Sequence, residues 1–271
     1  MAFDIVAAGA ARLGIPLGPE HLDRMARFVA LLLDRNRHLN LTRIVEPAEV
    51  ERRHLLDSLT CALPVLDRLA HPRQTDAGTG ARPLPLSPSL AGEGPGEGAI
   101  VRCIDVGSGG GLPGIPLAIA FPGLRMTLLE SVGKKAAFLR EAVADLDLPR
   151  VTVRTGRAED AAREPAERDA YDLVVARALA PLPVALELCL PFATPGGVVV
   201  LPRGSDLAGQ LADGEAAAKQ LAARLRPPIP LDDPELPPGR SLVVADKLGR
   251  TPARFPRRPG MPAKHPLTSS E

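Results

Sequence analysis

The chain has 271 residues, a length that allows one large domain or one domain with an appendage. Its hydrophobic fraction of 45% supports a sizeable core, and its formal net charge of +1 excludes a global basic field for nucleic acid. The three cysteines lie far apart within apolar runs, which is typical of buried thiols in a reducing compartment rather than of a disulfide or zinc framework. This cysteine pattern leads us to expect no metal. With no membrane-length apolar run and no signal-peptide pattern, we expect a cytoplasmic protein.

Residues 1–70 are predicted to form a helical extension. Pro19 is suited to a helix start, and the apolar residues that follow it recur at helical spacing. The sequence NLT at 40–42 interrupts this pattern, and Pro47 starts a second helix. On that helix Arg53, His54 and Asp57 lie close together, and the simplest interpretation is a surface ion-pair set.

Residues 71–99 are dense in proline, glycine and serine, a composition that buries too little apolar area to offset its ordering entropy. We expect a disordered or loosely packed insertion there. The segment 247–271 is basic and broken by prolines, and it is predicted to be a tail that is neither helix nor core.

Strand-like and helix-like patterns alternate through residues 100–246. The sequence predicts helices at 115–121, 134–146, 181–192 and 205–225, and strands at 100–106, 127–130, 151–154, 172–176, 197–201 and 241–245. Such alternation predicts an α/β domain with a mostly parallel sheet covered by helices on both faces.

The first strand runs directly into a glycine cluster that contains Gly107, Gly109 and Gly111. A strand, a glycine turn and a helix open a nucleotide-binding α/β unit, in which glycines let the backbone approach a ligand. GxGxxG at 109–114, with Glu130 about the right distance onward, is compatible with a dinucleotide, although any glycine-crowded loop satisfies that pattern in some frame.

Two features favour S-adenosylmethionine instead. Asp105 lies two residues before Gly107, where an anion suits a sulfonium and an ammonium but repels a pyrophosphate. In addition, Ala158 and Glu159 follow the third strand, where a polar side chain can meet an adenine amine.

These motifs together resemble the bacterial 16S ribosomal RNA guanine-N7 methyltransferases, the glucose-inhibited division protein B family. The stretches that carry the resemblance span nearly the whole chain outside the insertion, and they are NLT with RRHLLDSL, DVGSGGGLPGIPLAI, LLESVGKKAAFLREA, GRAED, VVARALAPL and PRRPGMPAKHPL. The resemblance implies a class I S-adenosylmethionine-dependent methyltransferase, Rossmann-like and with an N-terminal helical extension, that modifies guanosine 527 in the small ribosomal subunit.

The resemblance also implies site residues. Gly107 and Leu112 lie against the cofactor, Ala158 and Glu159 hold its adenine end, Glu130 accepts from the ribose hydroxyls, and Arg177 sits at the mouth of the site. The complete predicted cofactor set is Asp105, Gly107, Gly109, Gly111, Leu112, Glu130, Ala158, Glu159 and Arg177.

Contacts with 16S ribosomal RNA are expected from local cations, and the protein is expected to be a monomer. The predicted RNA-binding residues are Arg53, His54, Lys134, Lys135, Arg203, Arg257, Arg258 and Lys264. Many relatives carry a lysine where this chain has Arg203, so the role of that cation is open. No proton-transfer residue is predicted, because N7 of guanine attacks without losing a proton.

Two alternatives stay open at this point. One is an NAD(P)-dependent oxidoreductase, which Asp105 and the absence of a recognisable hydride-transfer acid disfavour. The other is a cofactor-binding or RNA-binding regulator without turnover, against which the intact glycine turn and Arg177 argue.

Overall fold

A computed structural model of the chain describes residues 3–70 and 101–268. Within these ranges an eight-stranded sheet carries helices on both faces. Its strands are β1 (Arg102–Val106), β2 (Arg125–Glu130), β3 (Val151–Thr155), β4 (Tyr171–Val175), β5 (Ala193–Arg203), β6 (Ala223–Leu225), β7 (Ile229–Pro230) and β8 (Ser241–Lys247).

The strand order is β3-β2-β1-β4-β5-β8-β6, and β7 pairs with β8. Strands β1 to β5 are parallel, whereas β8 runs antiparallel to β5 and to β6. The order reverses direction between β1 and β4, and open α/β sheets bind ligands outside the carboxyl ends of their strands at such a switch point. The predicted mostly parallel sheet is confirmed, and the glycine cluster after β1 lies at the switch point.

The helices of the described ranges include several short ones. They are α1 (Asp4–Arg12), α2 (Pro19–Leu39), α3 (Pro47–Val50), α4 (Asp57–Leu59), α5 (Leu63–Ala70), α6 (Gly114–Ala120), α7 (Gly133–Asp145), α8 (Ala158–Ala161), α9 (Leu182–Cys189), α10 (Leu211–Gln220) and α11 (Met261–Lys264). Helix α2 ends before Asn40, which adopts a left-handed backbone with φ 50°. Between α3 and α4 the chain widens into π turns over Glu51–Leu56.

Two apolar cores lie on opposite faces of the sheet, because successive strand residues point to opposite sides. Cys103 contributes to the core beneath α2, α6 and α7, and Ile104 contributes to the core beneath α9 and α10. Phe28 and Leu32 of α2 are fully buried in the first of these cores. The N-terminal helices therefore pack directly on the sheet.

The prediction of one helix over 205–225 is wrong. The chain forms a 3₁₀ turn at Ser205–Gln210, then α10, and then the short strand β6. Ala222 has φ 57°, a left-handed backbone that ends the helix and turns the chain back towards the sheet. Leu221 and Ala223 are buried on either side of this turn, so tertiary packing favours the strand over continued helix.

The prediction that the C-terminal segment is neither helix nor core is also wrong for residues 251–268. Phe255 and Leu267 are 2% and 3% exposed, and α11 forms near the end of the segment. Arg168 holds the segment by donating to the carbonyl oxygens of Thr251 and Phe255, each at 2.8 Å. The predicted insertion at 71–99 lies outside the described residues.

Candidate active site

The turn after β1 needs glycine at three positions. Gly107, Gly109 and Gly111 have φ values of 75°, 56° and 85°, a region that side chains rarely adopt. The amide of Gly107 donates to the carbonyl oxygen of Leu129 at 2.8 Å, which fixes the turn to the end of β2. A Cβ on Gly107 would lie 2.6 Å from Cδ1 of Leu179, so the loop after β4 packs tightly on this turn.

Asp105 is fully buried directly behind the glycine turn. Its Oδ2 accepts from the backbone amide of Gly114 at 3.0 Å, and its Oδ1 has no hydrogen-bond partner in the described protein. Burial raises the pKa of Asp105 to about 7, while the amide of Gly114, the hydroxyl of Ser108 and the charge of Arg177 lower it. A carboxyl oxygen without a partner therefore lies at the end of β1.

Glu130 ends β2 and is 6% exposed. Its Oε2 accepts from the amide of Gly109 at 2.8 Å, and its Oε1 accepts from the amide of Val132 at 2.7 Å. A carboxylate has about four acceptor positions, so these two bonds leave capacity for hydroxyl donors. The structure thus brings Glu130 to the glycine turn, and its contact with a ribose stays a prediction.

Several glycines at this edge of the sheet are not packed against other atoms. A Cβ on Gly109 would meet only the carbonyl oxygen of Gly107, at 3.8 Å, and a Cβ on Gly133 or Gly156 would meet nothing within 4 Å. Leu112 is 7% exposed and lies within the core beside the turn. The two carboxyl groups of Asp105 and Glu130 beside this turn fit a cofactor that carries a positive charge and ribose hydroxyls.

Ala158 and Glu159 begin α8, directly beyond β3. Glu159 is 6% exposed, and its Oε1 accepts from the backbone amide of Gly260 at 3.0 Å. The carboxylate predicted to hold the adenine end therefore also ties the C-terminal segment to this side of the sheet.

Arg177 follows β4 and points towards the N-terminal helices. Its Nη1 donates to Oδ2 of Asp57 at 3.2 Å and to the carbonyl oxygen of Arg53, and its Nη2 lies 3.3 Å from Nδ1 of His54. Arg240 donates to the other oxygen of Asp57 through Nε at 2.9 Å. A buried carboxylate therefore joins three segments that are far apart in sequence.

The prediction that Arg53, His54 and Asp57 form a surface ion-pair set is wrong. His54 and Asp57 are 5% and 1% exposed, whereas the side chain of Arg53 is 50% exposed. The π turns of Glu51–Leu56 change the angular spacing of these residues, so His54 and Asp57 face inward while Arg53 faces outward.

His54 is held in its neutral form. Burial, followed by the charge of Arg177, lowers the pKa of His54 to about 4. Its Nε2 lies 2.6 Å from Oγ1 of Thr42, within the NLT sequence. Thr42 and Arg240 are the members of this site that sequence reasoning missed, because Arg240 is 183 positions from its partner Asp57 and carries no local pattern.

The predicted RNA-binding cations fall into two groups. Arg53, Lys134, Arg258 and Lys264 are exposed, and Lys135 is half-buried at the start of α7. By contrast, Arg203 donates through Nη1 to the carbonyl oxygen of Ala180 at 2.7 Å, and its buried Nε has no partner in the described protein. Arg257 is paired with the buried carboxylate of Glu187. The prediction that His54 contacts RNA is wrong, because its ring is buried against Thr42 and Arg177.

Neither a metal centre nor an activated thiol is present in the described part of the chain. No group of three or more histidine, cysteine or acidic side chains there is arranged to hold a metal ion. All three cysteines are buried, and burial raises the pKa of each thiol, that of Cys189 to about 12. In residues 3–70 and 101–268, no helix has both the length and the apolar character that a membrane crossing requires.

A parallel sheet with an antiparallel β8, a glycine turn at the switch point and a buried acid behind it define a class I S-adenosylmethionine-dependent methyltransferase. The family model for rRNA small subunit methyltransferase G matches residues 21–85 and 95–226. The chain belongs to the rRNA small subunit methyltransferase G family. The alternatives of an NAD(P)-dependent oxidoreductase and of a regulator without turnover are therefore wrong.

Curated relatives match nearly the whole chain. The ribosomal RNA small subunit methyltransferase G of Roseiflexus sp. (strain RS-1) is 39% identical over 264 residues, which cover 97% of this chain and 99% of that protein. The protein of the same name from Pelotomaculum thermopropionicum is 38% identical over 97% of this chain and 98% of its own length. Among solved structures, the fibrillarin pre-rRNA processing protein of Methanococcus jannaschii overlaps 64% of this chain and 72% of its own, at 12% identity and a TM-score of 0.45.

Proposed function

We propose that the chain transfers the methyl group of S-adenosylmethionine to N7 of one guanine in small-subunit ribosomal RNA. Family resemblance indicates guanosine 527 of the 16S RNA as that base. The observation that carries the proposal is the buried Asp105, whose Oδ1 has no partner in the described protein, directly behind a turn that needs glycine. The curated relatives that match this chain over almost its whole length bear the name ribosomal RNA small subunit methyltransferase G.

The bound cofactor supplies a methyl group on a positively charged sulfur. N7 of guanine has an in-plane lone pair and no proton, so the reaction needs alignment and exclusion of water but no general base. Asp105 and Glu130 are two buried carboxyl groups at the edge that we propose for the cationic cofactor. His54 is neutral and committed to Thr42 and Arg177, which is consistent with a site that transfers no proton to a side chain.

We propose that one set of residues binds the cofactor and that a separate set of cations binds the RNA. We propose that the predicted cofactor set, from Asp105 to Arg177, lines the methyl-donor site within a methyltransferase domain at 100–246. Arg53, Lys134, Lys135, Arg258 and Lys264 are the exposed or half-buried cations that support RNA contact. We further propose that the protein works as a monomer in the cytoplasm, where its ribosomal substrate is assembled.

The test is methyl transfer to isolated small subunits. The protein, S-adenosylmethionine labelled on its methyl group, and subunits that lack the modification are incubated together, and the labelled base is mapped and identified. We expect the label in one guanosine, released as 7-methylguanine, and none in large subunits incubated in parallel. Label on an exocyclic amine or on a pyrimidine contradicts the proposed reaction, and so does the absence of label from the RNA.

A further inference from the structure

Asp57 is a buried acid shared by two arginines from distant parts of the chain. Arg177 follows β4 at the edge of the candidate active site, and Arg240 immediately precedes β8. Arg240 donates to both carboxylate oxygens, and Arg177 donates to Oδ2 at 3.2 Å. The side chain of Asp57 is 1% exposed, whereas those of Arg177 and Arg240 are 13% and 21% exposed.

The position of both guanidinium groups depends on this carboxylate. A buried charge is tolerated where it is paired and hydrogen-bonded, and two arginines provide that environment for Asp57. Without the carboxylate, two like charges of low exposure would repel each other across the same space. Arg177 would then keep only the carbonyl oxygen of Arg53 and the ring of His54 as neighbours on this side.

Arg177 also acts on the active-site edge itself. Its positive charge is one of the influences that lower the pKa of Asp105, the buried acid behind the glycine turn. The loop that follows Arg177 carries Leu179, whose Cδ1 would lie 2.6 Å from a Cβ on Gly107. Arg177 therefore lies two residues from a side chain that packs on the turn, and its charge acts on the acid behind that turn.

We propose that Asp57 is a positioning residue of the methyltransferase, which holds Arg177 against the cofactor edge through a pairing that Arg240 completes. The inference rests on the proposed function and deepens it, since it assigns the N-terminal helical segment a part in forming the active site. Because Asp57 is 1% exposed and paired with both arginines, its effect on methyl transfer is exerted through Arg177.

A double-mutant cycle tests this dependence. The variants Asp57→Asn, Arg177→Gln and the double variant are compared with the unaltered protein for kcat and KM of methyl transfer to small subunits. We expect Asp57→Asn to lower kcat/KM by about tenfold or more. This is the effect of losing one charge-assisted hydrogen bond worth about 1.4 kcal/mol in the transition state. In the Arg177→Gln background the same change should cost less than about threefold, because coupled residues are not additive.

A matched control separates positioning from general stability. Asp246 accepts from Nε and Nη2 of Arg226 at 2.9 and 2.7 Å, and it lies on β8 away from the carboxyl end of β5. Asp246→Asn should change kcat, the KM for S-adenosylmethionine and the KM for small subunits by less than about twofold. This should hold both in the otherwise unaltered protein and in Arg177→Gln. If Asp57→Asn lowers kcat/KM equally in both backgrounds, Asp57 does not act through Arg177 and the inference is overturned.

One further variant, together with the activity of the unaltered protein, separates the remaining outcomes. If Asp57→Asn does not fold, Asp57→Glu keeps the charge but moves it by one methylene, and the same non-additivity with Arg177→Gln is expected at smaller amplitude. If the unaltered protein methylates no guanine, the proposed function fails. If it does so and the cycle is additive, only the role of Asp57 fails.

Discussion

The guanidinium of Arg257 donates to both carboxylate oxygens of Glu187, from Nε at 2.9 and 3.1 Å and from Nη2 at 2.6 Å. The backbone amide of Arg257 adds a fourth bond to Oε1 at 2.9 Å. Glu187 lies on α9 with its side chain 1% exposed, so the pair fixes the C-terminal segment to one face of the sheet. A cation that the sequence assigned to RNA is thus a structural partner in this fold.

Replacement of Glu187 by alanine should destabilise the protein markedly. Removing one partner of a buried ion pair leaves the other charge without compensation and costs about 3 kcal/mol or more. We expect a loss of that size in the free energy of unfolding, measured by urea denaturation.

A surface pair provides the comparison for this change. Arg27 and Asp145 are joined at 3.4 Å with side chains 47% and 50% exposed, and Arg27→Ala should alter the free energy of unfolding by less than about 1 kcal/mol. Equal losses in Glu187→Ala and Arg27→Ala would show that the buried pair does not anchor the segment.

Gly107→Ala should weaken cofactor binding beyond its effect on stability. Gly107 has φ 75°, and an added Cβ would lie 2.6 Å from Cδ1 of Leu179, so either that side chain or the turn must move to accept it. Gly14 has a similar φ of 71° but nothing within 4 Å of an added Cβ. Both alanine variants should lose about 1–2 kcal/mol of stability from the left-handed backbone.

Calorimetric titration with S-adenosylmethionine distinguishes the two glycine variants. Only Gly107→Ala should reduce the affinity, by about tenfold or more, whereas Gly14→Ala should bind as the unaltered protein does. Unchanged affinity in Gly107→Ala would remove this turn from the cofactor site.

Local pattern predicted the elements that depend on local sequence. The glycine turn after β1 and the break at Asn40 both follow from residues adjacent in the chain. The predictions that are wrong concern regions whose structure depends on contacts between residues far apart in the sequence. The segment after residue 250 is ordered by Arg168 and Glu187, which lie 70 to 87 positions away, and no periodicity within the segment reveals them. Likewise, helical spacing placed Asp57 correctly on a helix but gave no indication that Arg240 would bury it.

The exposed cations of the C-terminal segment should contribute to RNA affinity. Arg258 and Lys264 are exposed, and the segment that carries them is fixed to the sheet. If each contacts one phosphate, the double variant Arg258→Ala/Lys264→Ala should reduce the slope of log affinity against log salt by about 1.4–1.8. Binding to small subunits is measured from low to high salt, with affinity for S-adenosylmethionine expected to be unchanged.

Two arginines on the opposite edge of the sheet serve as the control for charge alone. Arg125 begins β2 and Arg150 precedes β3, and both are exposed. Arg125→Ala/Arg150→Ala removes the same charge, and its salt slope should stay close to that of the unaltered protein. Identical slopes for the two double variants would indicate that net charge, and not a located contact, sets the affinity.

His54 and Asp105 should give the stability opposite dependences on pH. The pKa of His54 is lowered from 6.5 to about 4, so the unfolded chain takes up its proton first, and stability is lost as pH falls from 6.5 to about 4. The pKa of Asp105 is raised from 3.8 to about 7, so the folded protein retains that proton, and stability is lost as pH rises through the same range. From pH 4.5 to 6.5, the unfolding free energy of His54→Gln should therefore fall relative to the unaltered protein by about 2 kcal/mol. The unfolding free energy of Asp105→Asn, relative to the unaltered protein, should rise over the same pH range. Both variants are measured by urea denaturation without cofactor. If their unfolding free energies relative to the unaltered protein changed in the same direction with pH, the assignment would be contradicted.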